Sequence, residues 1–395
     1  MPFIDAEVPN VSRREVEEPA GASAWSGETL RTESQWEDLR EAWQELARQS
    51  QAFYLSYPWL RNWWDRYGQG NLNLGVVRRG QRVVALAPLR RRRLWRWGLP
   101  ARAIENLFNA HACRSDFAVL EGAEEALGHL LDLLELEPWD VVRLREIPQE
   151  SRLLEALPAL CRRRGLSLRT REALFSPYIV VSGDWDSFLG GRGRRFRKQL
   201  RNKANRMRAS GRQMEFGCLS TVSEIEAALP EVMEVALKSW SGERGSSIAS
   251  PDNRGFYEGV IRGFAGSNQV RIWTLRLDGT LAAFEIHLQW ERTVIPIKAC
   301  YDPAFADLSP GSILEEHALK AIFGVGGYDV YDLLGSADPY KLQWTDRVRV
   351  HYEVFLFNRR PLSRLLEALE FGLRPRLGAL KRRLQRRPEP QGEVA

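Results

Sequence analysis

The stretch YDPAFADLSPGSILEEHALKAIFGVGGYDVYDLLGSADPYKLQW, residues 301–344, decides the fold. Its first residues end a strand that begins TVIPIKAC, SPGSILEEHALKAIF reads as a helix, and YDVYDLL reads as the next strand. Strand, turn, helix, strand is the repeating unit of an α/β sheet. Pro310 suits the first helical position. Ser309 can cap, or Ser312 with Glu315 can form a capping box, and the sequence leaves the choice open. In either case backbone N–H groups near Gly311 and Ser312 face open space. Glycine admits close approach to the backbone, and the helix dipole favours negative charge. The turn therefore reads as an ordinary capped helix or as an anion site suited to a pyrophosphate.

Working outward, VRIWTLRLDGTLAAFEIHLQW (270–290) gives two strands around Asp278-Gly279, a hairpin dipeptide. Glu285 interrupts an apolar run there, with His287 two residues on along the same strand face. A carboxylate in mid-strand is either salt-bridged at an edge or faces a cleft, where desolvation lifts its pKa toward the range of a general base. Asp332, Tyr340 and Lys341 follow the next strand. Tyr340 can protonate a leaving group, Lys341 can offset developing negative charge, and Asp332 can serve chemistry or cap a turn. Upstream lie helices over 222–240 and 252–265 and a strand at 214–219. Before these, GRGRRFRKQLRNKANRMRASG holds nine Lys or Arg between 192 and 208 and no acid. Phe196, Leu200, Ala204 and Met207 share one helical face. The remainder is a solvated face or a phosphate-facing one, with Arg195 and Lys198 as candidate contacts.

The first half has the same rhythm. A helix over 34–49 and an aromatic segment with Trp59, Trp63 and Tyr67 at helical spacing precede LNLGVVRRGQRVVALAPLRRRR (72–93), a hairpin. A helix at 123–136, a strand at 140–144, a helix at 151–164 and a strand near 178–181 close this half. The hairpin patterns at 74–89 and 271–288 suggest a duplicated unit. Residues 1–28 read as a disordered tail. The Leu- and Arg-rich stretch after Pro361 reads as a helix that packs on the body, or as a basic amphipathic surface for a membrane or a partner.

The chain resembles the CelD-like proteins, a GNAT-fold acyltransferase family associated with cellulose and exopolysaccharide biosynthesis and related to the Fem-type transferases. The resemblance rests on Pro58-Trp59-Leu60, Trp63-Trp64, Ala87-Pro88-Leu89, Ser115-Asp116, Pro177-Tyr178 and the basic helix after Phe188. It continues through Tyr301-Asp302, Pro310-Gly311, Tyr331-Asp332, Tyr340-Lys341 and Trp344, and covers about residues 30–358. It implies two tandem GNAT-like lobes, each a mixed sheet flanked by helices, at 29–181 and 182–358, with a basic C-terminal helix and tail at 359–395. It also implies an acyl-CoA donor, acetyl-CoA included, bound at Ser309, Gly311 and Ser312. Glu285, Asp332, Tyr340 and Lys341 would carry direct acyl transfer to an amine or hydroxyl acceptor, small or sugar-linked. The GNAT phosphate loop reads Q/R-x-x-G-x-G/A; Ala306, Ser309 and Gly311 stand at its fixed positions, and the last glycine alone is kept. An aminoacyl-tRNA donor, as in Fem-type transferases, and a non-catalytic accessory role in a polysaccharide-synthesis complex are the alternatives.

Composition narrows the remaining classes. The net charge of +6 is concentrated in arginine clusters, which suit a nucleotide cofactor, RNA or anionic lipid. Four separated cysteines, Cys113, Cys161, Cys218 and Cys300, argue against a disulfide framework or a metal site. No apolar run reaches the roughly 20 residues that span a bilayer. The N-terminal residues lack an apolar signal core, so the expectation is a cytoplasmic protein without a metal or specific DNA binding.

Overall fold

The computed structural model describes residues 24–239 and 247–374. The first half contains β1 (Trp25–Leu30), α1 (Glu33–Glu37), α2 (Arg40–Gln49), α3 (Tyr57–Tyr67), β2 (Asn71–Arg79), β3 (Arg82–Arg96), β4 (Leu99–Asn106) and β5 (Ala118–Val119). It continues through α4 (Ala126–Glu135), β6 (Val141–Pro148), α5 (Arg152–Arg164) and β7 (Ser167–Val180). The second half contains α6 (Trp185–Gly190), α7 (Arg194–Ala209), β8 (Met214–Leu219), α8 (Val222–Lys238), α9 (Arg254–Ala265), β9 (Val270–Leu277) and β10 (Thr280–Trp290). There follow β11 (Thr293–Tyr301), α10 (Pro310–Val325), β12 (Val330–Asp332), β13 (Val348–Phe357) and α11 (Pro361–Glu367).

The strands form one mixed sheet in the order β1-β2-β3-β4-β6-β13-β7-β12-β11-β10-β9-β8, with β5 paired to β3. Helices flank it, and the mixed α/β architecture expected from the sequence is present. The two halves are joined through β7. Residues 167–177 of this long strand pair with β13, and residues 178–180 pair with β12. β13 in turn pairs with β6, so a strand from the end of the chain completes the sheet of the first half.

A second junction joins the halves through helices. Trp59 and Trp63 of α3 are buried, and Trp59 meets Phe256 of α9 edge-on at 5.3 Å. Gly259 of α9 lies under Asn62, where a Cβ would come within 1.9 Å of the Asn62 amide oxygen. The glycine lets the two helices approach that closely. Tyr67 donates to Asn253 Oδ1 at 2.9 Å, so the aromatic stripe of α3 is a packed seam.

Several boundaries differ from the sequence expectation. Residues 25–28 belong to β1 and not to a disordered tail: Trp25 pairs with Arg79 and Leu30 with Leu74. WSGETL carries little apolar signal because it is an edge strand whose order comes from its neighbour. The helix expected over 34–49 is two helices, the first started by a Thr32–Gln35 capping box. β7 begins eleven residues earlier than Tyr178, because its polar, half-exposed first part is held by β13. The rest of the expected tail, residues 1–23, and the Leu/Arg-rich sequence from 375 onward lie outside the described residues. Within them, Leu366 and Phe371 pack beside Phe355 and Phe357. No helix among the described residues is long and apolar enough to cross a membrane.

Candidate active site

β11 and β12 run parallel but pair only at Thr293–Val330 and Val294–Tyr331. Beyond these pairs β11 continues to Tyr301 against β10 alone, while the chain after β12 turns away through Leu334 (φ 49°) and Gly335 (φ 59°). The gap between the diverging strands is a cleft of about 630 Å³. Residues 296–301 form one wall, Leu333, Leu334, Gly335, Tyr340 and Lys341 the other, and the first half closes it with Ala110, His111 and Cys113. The N-terminus of α10 opens into it at Gly311 and Ser312.

The turn before α10 has an informative backbone. Ser309 is the N-cap with φ 56° and ψ 47°, the left-handed region that glycine favours, and its side chain makes no capping bond. Serine therefore stands in a glycine-like conformation where the GNAT loop pattern has its first glycine. The capping box considered for Ser312 and Glu315 does not form. Ser312 Oγ accepts from Lys203 Nζ of α7 at 2.8 Å, and Arg206 donates to the Asp307 carbonyl at 2.9 Å. Helix geometry leaves the Gly311 and Ser312 N–H groups without an intrahelical carbonyl. Bare amides, a helix dipole and an ammonium group meet at one turn, the chemistry of an anion site.

The floor of the cleft is a cluster of buried polar groups. His287 Nε2 lies 2.7 Å from Glu285 Oε2, and the Tyr331 hydroxyl lies 3.3 Å from the same nitrogen. Glu315, from the first turns of α10, takes a hydrogen bond from the Trp344 indole. Burial, with the Glu285 charge beside it, pushes the Glu315 carboxyl well above the usual carboxylate range. Burial thus favours the protonated form of Glu315, which sits next to the carboxyl group of Glu285 that engages His287. Burial also raises the phenol of Tyr331, which keeps it as a proton donor.

The sequence-selected residues divide by location. Glu285, Tyr340, Lys341, Gly311 and Ser312 converge on the cleft, with Ser309 at the turn that forms its edge. Tyr340 stands at the mouth, 57% exposed. Lys341 Nζ donates to the Leu334 carbonyl at 2.7 Å and to the Ser336 carbonyl at 3.3 Å, so it ties the loop after β12. Burial lowers its pKa. Asp332 is not among the cleft-lining residues: Arg114 and Arg349 occupy its oxygens. Burial alone would raise this carboxyl, but the two guanidinium groups and the Leu334 N–H hold it at about 2. Arg195 lines a separate hollow with Phe196 and Leu342, and Lys198 is exposed. Lys203 takes the place at the α10 turn because the packed stripe of α7 sets its orientation, and five residues further along a helix is about 7.5 Å.

Sequence reasoning missed His111, Cys113, Tyr257 and Glu315. His111 Nδ1 lies 3.1 Å from the Tyr257 hydroxyl, joining the two halves at the cleft. Burial lowers the His111 pKa and lifts the Cys113 thiol to about 11, so that thiol stays protonated. No local pattern marked His111, Cys113 or Tyr257 as site residues. For Glu315 a signal existed, a carboxylate at helical spacing from Gly311, but it was absorbed by the capping-box reading. No group of His, Cys, Asp or Glu among the described residues is arranged to hold a metal ion.

Residues 194–342 match the sequence model of a family described as an acetyltransferase (GNAT) domain. Those residues, fewer than half of the chain, form a GNAT-type domain. The matched span contains the whole cleft except the 110–113 loop and Cys113 side. No curated protein sequence matches the chain. Among solved structures it is similar to FemX, 14% identical with a TM-score of 0.55, the match covering 86% of this chain and 100% of FemX. It is also similar to a conserved protein of unknown function from Bacteroides thetaiotaomicron, 12% identical with a TM-score of 0.52 over 84% of this chain and 99% of that one. At these identities the likeness concerns the fold.

Proposed function

We propose that the protein is an acyl-CoA-dependent acyltransferase that acylates an amine or hydroxyl held between its two halves. The observation that carries this reading is the Glu285–Glu315 pair at the floor of a cleft whose edge is the bare N-terminus of α10. The donor's pyrophosphate would lie against the Gly311 and Ser312 amides and Lys203, with the thioester reaching down between β11 and β12. Glu285, oriented by His287, accepts the proton of the attacking nitrogen or oxygen. That atom adds to the thioester carbonyl, the carbon–sulfur bond breaks, and the Tyr340 hydroxyl gives its proton to the departing thiolate. Lys341 holds the loop that carries Tyr340. The acceptor enters from the side of His111 and Cys113, and a sugar-linked acceptor in polysaccharide synthesis is the class the family resemblance supports.

The exposed arginines of α7 favour a second reading, in which the same cleft takes its acyl group from aminoacyl-tRNA. One experiment addresses both. Calorimetry with acetyl-CoA should give saturable binding that Gly311→Val weakens, and acceptor-dependent release of free CoA thiol should follow. Binding of tRNA with no heat from acetyl-CoA would replace the first reading by the second.

A further inference from the structure

We propose that the tip of the β3–β4 hairpin, with the C-terminal turn clamped to it, docks the protein on an anionic lipid surface. Trp95 is 77% exposed and Trp97 40% exposed, an unusual placement for the largest apolar side chains. Trp97 and Gly98 form the two-residue turn, both with positive φ (54° and 74°). Trp95 pairs with Pro100 and Arg93 with Arg102, so Arg93 stands exposed behind a tryptophan on one face of the hairpin, while its partner Arg102 is held by Asp140 at 2.7 and 2.9 Å. On the other face Leu94 and Leu99 pack toward Phe355, Phe357 and Phe371.

The hairpin end is fixed to the C-terminal turn. Glu370 accepts from Arg96 at 2.7 Å and from the Trp97 indole at 3.4 Å, and it also pairs with Arg374. Leu373, three residues beyond the clamped Glu370, is 41% exposed. From Arg374 the sequence continues with seven Lys or Arg and no acid through residue 387. An indole has an apolar body and one N–H donor, and tryptophan is favoured at the headgroup level of bilayers. Each Lys or Arg near an anionic leaflet adds attraction that falls off within a Debye length. A convex tip with aliphatic neighbours suits insertion among headgroups, whereas single-stranded nucleic acid is held by stacking platforms along a groove.

The test is co-sedimentation of the full chain with phosphatidylcholine vesicles, with and without phosphatidylglycerol, at low and high salt. The expected result is binding to the anionic vesicles that weakens with salt and falls about tenfold or more in Trp95→Ser, while Trp95→Phe retains most of it. Trp97→Asn, a residue that tolerates positive φ, should show the same loss of vesicle binding. Equal sedimentation of wild type and Trp95→Ser would overturn the proposal. So would a tryptophan-dependent dimer in solution without vesicle binding, or Trp95-dependent binding of tRNA in preference to the vesicles.

Discussion

Arg114 holds Asp332 in a two-pronged ion pair, with N–O distances of 2.8 and 3.2 Å, across 218 residues of sequence. Both side chains are buried. Arg114 Nε donates to His351 Nε2 at 3.1 Å, and Arg349 reaches the same aspartate at 2.8 Å. Arg114 follows Cys113 on the cleft wall, and Asp332 ends β12. The pair therefore joins the first half to the strand whose divergence opens the cleft.

Breaking this pair from one side leaves a buried charge without its partner. Arg114→Met should cost about 3–5 kcal/mol at neutral pH. The Asp332 carboxyl is depressed to about 2, so its stabilisation is present above the unfolded value of about 3.9. It is lost as pH falls through 2. Urea denaturation of wild type and Asp332→Asn should show a gap at pH 7 that closes toward pH 2; a constant gap would assign the effect to packing.

Asp116 has the opposite sign. Burial lifts it to about 7 despite hydrogen bonds from Ser151 and the Phe117 N–H. The folded state binds the extra proton between about pH 4 and 7, so wild-type stability falls as pH rises through that window, by up to about 1.4 kcal/mol per unit for this one group. Asp116→Asn should flatten that slope in melts recorded from pH 4 to 8. An identical slope in both proteins would remove Asp116 as its source.

The carboxyl pair in the cleft makes an asymmetric forecast. Glu285→Gln removes the proposed base and should lower kcat by about 100- to 10,000-fold with little change in donor affinity. Glu315→Gln keeps a neutral side chain where burial already favours the neutral carboxyl, so it should retain far more activity at pH 7. Steady-state kinetics decide it, and equal losses in both variants would overturn the division of roles.

At the α10 turn, Ser309→Gly should stabilise the fold by about 0.5–1 kcal/mol, because glycine takes a left-handed backbone without the Cβ penalty. It should leave acetyl-CoA affinity intact. A Cβ at Gly311 would meet only the Tyr301 ring, at 3.4 Å, so Gly311→Ala should fold normally. The bulkier Gly311→Val should cost about tenfold or more in affinity by blocking approach to the amides. Calorimetry beside a thermal melt checks all three.

Tyr340 and Lys341 should separate in the same assays. Tyr340→Phe should leave the melt unchanged and lower kcat by about 100-fold or more. Lys341→Ala leaves the buried Leu334 carbonyl without its donor and should lower stability by about 1–3 kcal/mol, with activity falling alongside. A Lys341→Ala enzyme that melts normally but does not turn over would return Lys341 to the chemistry.

Much of the architecture was legible locally. The Asp278-Gly279 hairpin, the helix opened by Pro310 and the buried stripe of Trp59 and Trp63 follow from turn chemistry and helical periodicity, which act within a few residues of each other. The polar first part of β7 and the edge strand β1 were not legible, since each is ordered by a partner strand and carries little apolar pattern of its own.

By itself the sequence determined the strand–turn–helix–strand unit at 301–344, the bare amides at Gly311 and Ser312, and an acidic residue inside an apolar strand at Glu285. Tertiary structure alone decided which groups surround them. It set Glu315 beside Glu285, drew Asp332 out of the cleft to Arg114, turned Lys203 rather than Lys198 toward the α10 turn, and brought His111 across from the other half. Periodicity fixes which face of an element is apolar. What that face meets depends on long-range pairing, here of β7 with both β13 and β12, and no window of neighbouring residues carries that information.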